Sequence, residues 1–197
     1  MNNIKLTVLF VLVLIFIAPA ILSFGVRYIP GREMSQTGRS VKIFRENVLE
    51  FNIENPKENL VGIGVVVKNP QRSDQDLRLK IIDYRENILR ESVVNGLSIP
   101  DGALVKFIFS PLTFKGRTLE GMFSSDASEE NAMGIYLEKG SDKVAFVSLY
   151  KPTSRLALIS SIYGSWLQHF FADAVFAAIY LVIIISSLSV ITDKKFK

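Results

Sequence analysis

The chain has 197 residues, 49% of them hydrophobic, and its mean hydropathy of +0.29 is high for a soluble domain of this size. It has a net charge of +4 and contains no cysteine, which excludes a disulfide framework, a thiolate nucleophile and a thiolate metal site. The single histidine, His169, excludes a histidine cluster around a metal. We therefore expect no cofactor.

The excess of apolar residues lies at the two ends of the chain. Residues 6–24 and residues 174–191 form two uncharged runs rich in Leu, Val, Ile and Phe. About 19 residues in a helix span roughly 30 Å, the thickness of the hydrocarbon core of a bilayer. Neither run has the polar stripe of an amphipathic surface helix. Both are predicted to be transmembrane helices, with a stub at 1–5 and a basic tail at 192–197.

The orientation in the membrane is predicted from the flanking cations. Lys194, Lys195 and Lys197 follow the second run, and Lys5 precedes the first. Lysines close to the ends of spans mark the cytoplasmic side, whereas a long intervening segment is translocated largely regardless of its charge. We therefore expect a cell-membrane protein with both termini cytoplasmic and the central domain extracytoplasmic.

The first run has an alternative interpretation as a secretory signal peptide. Residues 1–5 would be its n-region, residues 6–17 its h-region, and Ala18-Pro19-Ala20 an A-x-A cleavage site. Apolar residues continue beyond that site to Phe24, which favours a retained helix. Whether residues 1–20 are removed stays open, and both interpretations place the central domain outside the cytoplasm.

The central part of the chain has the pattern of an all-β domain. Residues 25–46 contain prolines, glycines and mixed charge with little periodicity, which indicates a linker. Residues 47–151 then show eight short runs of alternating or β-branched apolar residues separated by turn residues, at 48–53, 60–68, 77–82, 88–94, 104–110, 118–124, 134–138 and 144–149. This rhythm predicts an eight-stranded antiparallel β-sandwich, jelly-roll or immunoglobulin-like.

A family resemblance rests on two stretches of this domain. The segment FNIENPKENLVGIGVVVKNPQRSDQDLRLKIIDYRENILRESVVN, followed by IPDGALVKFIFSPL, resembles extracytoplasmic β-sandwich modules of bacterial envelope proteins. Such modules are similar in outline to jelly-roll carbohydrate-binding domains and occur beside membrane glycosyltransferases. The resemblance consists of the strand rhythm, Asn59-Leu60 and the pattern Phe107-x-Phe109-x-Pro111. It carries over no binding residue.

The charged residues of the domain indicate no catalytic or ligand-binding site. Carboxylates in the loops 69–76 and 126–131 lack the spacing of an EF-hand, so solvated turns are the preferred interpretation. Basic residues around the hairpin (Arg72, Arg78, Lys80, Arg85, Arg90) alternate with acids, which favours cross-strand charge pairing over a partner surface. No two carboxylates are fixed at the separation that a glycosidase needs, and no aromatic–basic platform indicates nucleic-acid binding.

The segment 152–173 precedes the second run and is rich in aromatic residues. Tyr163, Trp166, His169 and Phe170 are predicted to anchor the chain at the membrane interface, where amphipathic rings are favoured. Next to them, Asp173 and the small residues Ser186 and Ser189 of the second run are candidates for contact with a partner inside the membrane.

These features predict a protein that is not an enzyme. The first hypothesis is a membrane-anchored extracytoplasmic recognition or assembly module of the cell envelope, with a membrane or envelope protein or a glycan as partner. An alternative is an accessory subunit of a membrane complex, such as a glycosyltransferase or polymer-export assembly. A carboxylate-dependent glycan hydrolase is the third hypothesis and the least favoured.

Overall fold

A computed structural model describes residues 23–31, 34, 37–54, 56–113 and 118–192, together with positions 6, 8, 9, 13, 17, 20 and 21. These residues divide into two compact units, one formed by residues 28–151 and the other by the two ends of the chain. The first unit contains ten strands among its described residues: β1 Ile29–Pro30, β2 Thr37–Ile43, β3 Leu49–Ile53, β4 Leu60–Lys68, β5 Asp76–Ile82, β6 Ile88–Asn95, β7 Ala103–Leu112, β8 Leu119–Ser125, β9 Met133–Glu138 and β10 Phe146–Tyr150.

The strands form two antiparallel sheets. The smaller sheet has the order β3-β8-β5-β6. In the larger sheet β4 pairs with β7 along one side, and with β10 and then β9 along the other, while β2 pairs with β9 and β1 with β10. Strands β2 to β9 thus alternate between the sheets, apart from the β5–β6 hairpin. This is the connectivity of a jelly roll, and it resolves the choice that the sequence left open.

The core lies between the two sheets and is built from alternate residues of the strands. Leu77, Leu79 and Ile81 of β5 are fully buried, while the residues between them are partly exposed. Phe107 of β7 and Phe123 of β8 meet edge to face, with ring centroids 5.3 Å apart. Because side chains alternate across a strand, this period of two is what makes each sheet apolar on one face.

The predicted linker at 25–46 is corrected by the structure, because β1 and β2 lie within it. The sequence of β2, TGRSVKI, has apolar side chains only at Val41 and Ile43, which is enough for an edge strand with one buried face. Gly38 is a close-packing position rather than a turn, since a Cβ there would lie 3.0 Å from the Lys139 Cα. The compact unit begins at Tyr28 and ends at Lys151.

The eight predicted runs all contain strands, but the jelly roll uses only seven of them. Its eighth strand is β2, and the last predicted run supplies β10, which lies beside β4 in the larger sheet. The register of β10 shifts between Leu149 and Tyr150, so the aromatic ring at the end of this strand leaves the regular ladder.

The C-terminal part of the second unit, over its described residues, forms the helices α1 Arg155–Ala172 and α2 Ala174–Thr192. The Ser154 hydroxyl accepts a hydrogen bond from the Ala157 amide and so caps α1. Within the described residues no single helix has both the length and the hydropathy of a membrane span. The segments 155–172 and 174–187 meet the criteria only together, and they are bent by 102° at the break between them.

Candidate functional site

A cavity of the β-sandwich opens along the edge of the smaller sheet. We call it the edge cleft. It has a volume of about 500 Å³ and runs between β3 on one side and the segment 142–150 on the other. Its polar lining consists of Glu50, Asn52, Glu54, Lys57, Glu138, Asp142, Lys143, Ser148 and Tyr150. A cavity of this size and polarity is large enough for a small polar ligand.

The position of β3 explains why a cleft forms here. β3 is the end strand of its sheet and pairs only with β8 among the described residues, so its other edge faces the cleft. Phe51 and Ile53 point into the core, whereas Glu50 and Asn52 are exposed. The Phe51 ring packs on Phe146 of β10, with centroids 5.0 Å apart, and this contact forms an apolar floor between the two sheets.

Tyr150 forms the aromatic wall of the edge cleft. The Cε2 edge of its ring lies against Gly31, where a Cβ would be 2.3 Å from the ring, so a larger residue there would displace the tyrosine. Its hydroxyl accepts a hydrogen bond from the Lys57 amide at 3.3 Å. The side chain is therefore held in place on the lining of the cleft, half exposed.

The charges of the edge cleft are mixed. Four carboxylates line it, and the carboxylate of Asp142 is paired with Arg39 of β2. Lys57 and Lys143 add two ammonium groups. Ionised carboxylates accept hydrogen bonds only, whereas ammonium groups donate them only. The lining can therefore satisfy both the donors and the acceptors of a hydroxyl-rich ligand, and an aromatic ring lies beside them.

The acidic residues in and beside the loops 69–76 and 126–131 form hydrogen bonds and ion pairs with other side chains. Asp76 Oδ1 accepts a hydrogen bond from the Asn95 side chain at 2.9 Å. Asp126 pairs with Arg78 at 2.8 Å, and the Glu129 carboxylate lies 3.8 Å from the Lys42 ammonium. Within the described part of the chain, no three His, Cys, Asp or Glu side chains are grouped as metal ligands.

The basic residues around the β5–β6 hairpin do not form one patch. Lys80 lies opposite Glu91 in the register of the two strands. Arg90 instead donates to the carbonyl oxygens of Ser110 and Pro111 on β7, at 2.9 and 3.1 Å. Arg90 thereby links an edge of the smaller sheet to the larger one, which is a structural role.

The predicted interface residues lie on α1, where their aromatic rings contact α2. Trp166 stacks on Phe170 with centroids 5.8 Å apart, and Tyr180 meets both rings at 5.4 and 5.9 Å. Tyr163 and His169 lie on the same helix, and the side chain of His169 is outside the described part. Membrane anchoring by these residues stays a prediction.

Asp173 occupies the break between the two helices. Its carboxylate accepts hydrogen bonds from the amides of Val175 and Phe176 at 2.9 and 3.1 Å, so it is the N-cap of α2. The helix α1 ends at Ala172, directly before Asp173. Ser186 and Ser189 lie three residues apart on α2. The topogenic residues Lys5, Lys194, Lys195 and Lys197 fall outside the described residues.

The sequence alone does not indicate the edge cleft. Glu50 and Glu54 are far from Glu138 and Asp142 in the sequence, and the four come together because the end of β9 and the loop after it lie beside β3. No local motif marks them. An acidic residue on an edge strand, such as Glu50 on β3, could have indicated the cleft. However, β3 is recognised as an edge strand only once the order of the strands is known.

No protein-family model and no curated protein matches the chain. Among solved structures, TmCBM61 in complex with β-1,4-galactotriose aligns with 64% of this chain and 87% of its own, at 12% identity and a TM-score of 0.37. Carbohydrate-binding module CBM36 in complex with calcium and xylotriose aligns over 63% and 99%, at 6% identity and a TM-score of 0.33.

A third structure, the CocE/NonD family hydrolase SACOL2612 from Staphylococcus aureus, aligns with 63% of this chain and 36% of its own, at 13% identity and a TM-score of 0.38. The expected resemblance to carbohydrate-binding-like β-sandwich modules is thus confirmed as a weak likeness of fold. The likeness identifies no ligand for this chain.

Proposed function

We propose that this chain is a membrane-anchored, non-catalytic recognition module that binds a glycan in the edge cleft. The observation that carries the proposal is the lining of that cleft, where a fixed and half-exposed tyrosine lies beside carboxylates and ammonium groups. Sugars present C–H faces that pack on aromatic rings and hydroxyl groups that both donate and accept hydrogen bonds. The lining of the edge cleft offers a counterpart to each.

An oligosaccharide array tests the glycan part of this proposal. The full chain is prepared in a polyoxyethylene detergent, because a sugar-based detergent would compete for the cleft. We expect retention on at least one class of oligosaccharide, and loss of that retention in Tyr150→Ala. Tyr84→Ala is the matched control, since Tyr84 is an exposed tyrosine in the β5–β6 turn, away from the lining. Absence of retention, or equal loss in both variants, would reject the glycan ligand.

Membrane anchoring is the second part of the proposal. Its support is the apolar surface of the two helices, on which Phe171 is 80% exposed, Leu156 78% and Val175 69%. Such side chains on consecutive helices need an apolar environment. We propose that the lipid bilayer supplies this environment to the two ends of the chain. Both termini would then be cytoplasmic and the β-sandwich extracytoplasmic.

Protease treatment of intact spheroplasts tests the topology. With an epitope tag at each terminus, we expect both tags to be protected and the β-sandwich between them to be degraded. We also expect the protein to resist extraction from membranes at alkaline pH. Degradation of either tag in intact spheroplasts, or release by alkali, would contradict the proposed anchoring.

A further inference from the structure

A second groove lies on the outer face of the larger sheet, and we propose that it binds a phosphate group. This lysine groove has a volume of about 390 Å³, and its lining includes Ser40, Lys42, Lys68, Gln71, Glu130 and Gly134. None of these residues lines the edge cleft. The proposal is therefore independent of glycan binding.

The register of three strands creates the lysine groove. Gly134 of β9 lies directly opposite Lys42 of β2 on one side and opposite Lys68 of β4 on the other. Residues directly opposite each other in a sheet point to the same face. The two lysines therefore stand on either side of a position that has no side chain, and the groove between them is open to solvent.

Glycine at position 134 keeps the floor of this groove open. A Cβ there would lie 3.3 Å from the Ser40 hydroxyl oxygen and 3.4 Å from the Lys68 Cβ. A side chain larger than a methyl group would fill the space between the lysines. The floor is thus narrow and lies at the buried Gly134, and the Ser40 hydroxyl lies beside it as a further hydrogen-bond donor.

The charges around the floor favour an anion. The Lys42 ammonium lies 3.8 Å from the Glu129 carboxylate, and both side chains are exposed, so this ion pair is weak. Lys68 forms no ion pair with any residue in the described part of the chain. One anion placed over Gly134 can therefore be reached by two ammonium groups.

The residue types are those of a lysine-based phosphate site. Lysine binds phosphate as a compact point charge and needs no bidentate geometry. The lining contains two lysines, and no arginine among the residues described. Glu130 lies on the same lining and opposes the anion, so we expect binding to be weak until its charge is removed.

NMR of the full chain with its lysines reductively methylated in ¹³C tests the proposal. In polyoxyethylene detergent, added inorganic phosphate should shift the NMR signals of Lys42 and Lys68. It should leave unchanged the signal of Lys106, an exposed lysine on the same outer face of the larger sheet. We expect Lys68→Gln to weaken phosphate binding about tenfold, as for the loss of one charge-assisted contact. Glu130→Gln should strengthen binding, and Lys106→Gln should leave it unchanged.

The same signals distinguish the source of the phosphate. In nanodiscs, a shift that depends on phosphatidylglycerol in place of phosphatidylcholine supports a lipid headgroup as the source. A shift that requires added phosphate in both bilayers supports a soluble or polymeric phosphate. If the Lys42 and Lys68 signals respond no more than that of Lys106, or if Lys68→Gln and Lys106→Gln have equal effects, the proposal is wrong.

Discussion

Single polar side chains in this molecule stabilise turns through hydrogen bonds to the backbone, whereas the sequence indicates only that strands end there. Asn69 directly follows β4, whose bounds agree with the predicted run 60–68. The sequence does not reveal that the Asn69 side chain is buried and bonded to three backbone groups. Its amide donates to the carbonyl oxygens of Gly96 and Ile99, and its oxygen accepts from the Ser73 amide. Gly96 and Ile99 lie about 30 residues further along the chain, so local pattern could not predict these two contacts.

Asp83 offers a pH-dependent test at this scale. Its carboxylate accepts hydrogen bonds from the amides of Asn87 and Arg85 at 2.9 and 2.8 Å, across a turn in which Glu86 has a left-handed backbone. The amide of Asn87, followed by its side chain and Arg85, holds the pKa of Asp83 below the usual aspartate value of 3.8 despite the opposing effect of desolvation.

Because the folded-state pKa is lowered, the contribution to stability is present above the usual pKa and is lost as pH falls through the lower, folded-state value. We expect the amide chemical shifts of Arg85 and Asn87 to titrate with a midpoint below 3.8. Asp83→Asn should keep a side-chain acceptor and abolish this titration. A midpoint at or above 3.8 would contradict the turn geometry.

At the scale of elements, alternation predicted most strands, and packing decided the remainder. The strands β3 to β9 were identifiable because their inward positions are consistently apolar. β2 was missed because its charged residues and Gly38 resemble a linker. Gly38 packs closely on the backbone of Lys139, in the turn after β9, and the sequence gives no sign of this contact. The helix break at Asp173 coincides with the boundary expected between the segments 152–173 and 174–191, but the bend of 102° there has no signal in the sequence.

The role of Asp173 can be separated into capping and charge. Asp173→Ala removes the acceptor for two amides of α2 and should destabilise that helix by about 1 kcal/mol, whereas Asp173→Asn keeps a good N-cap and should cost only a few tenths. Hydrogen exchange of the Val175 and Phe176 amides in the detergent-solubilised chain measures the difference. Equal protection in Asp173→Ala and wild type would show that the cap contributes nothing.

A partner contact through the charge of Asp173 instead predicts equal effects of the two substitutions. If the carboxylate binds a second membrane protein, both Asp173→Asn and Asp173→Ala should abolish co-purification in mild detergent. This outcome would favour the accessory-subunit alternative, in which the helices bind the partner. Retained co-purification in Asp173→Asn would assign the residue to capping alone.

At the scale of the whole molecule, the sheet order determines where function can lie. The class of fold was predictable from strand rhythm, but the choice of jelly-roll connectivity was not, because it depends on which strands pair over long range. The edge cleft exists only in the folded chain, where β3 ends one sheet and β10 extends the other. Its acidic residues and Tyr150 therefore had no common signal in the sequence.

Saturation-transfer NMR tests glycan recognition by the edge cleft most directly. The full chain in polyoxyethylene detergent is irradiated at its aromatic protons, in the presence of an oligosaccharide retained on the array. The account predicts that saturation reaches the ring protons of the sugar in wild type and in Tyr84→Ala, and that it is lost in Tyr150→Ala. Transfer that persists in Tyr150→Ala, or that disappears in Tyr84→Ala, would contradict binding in the edge cleft.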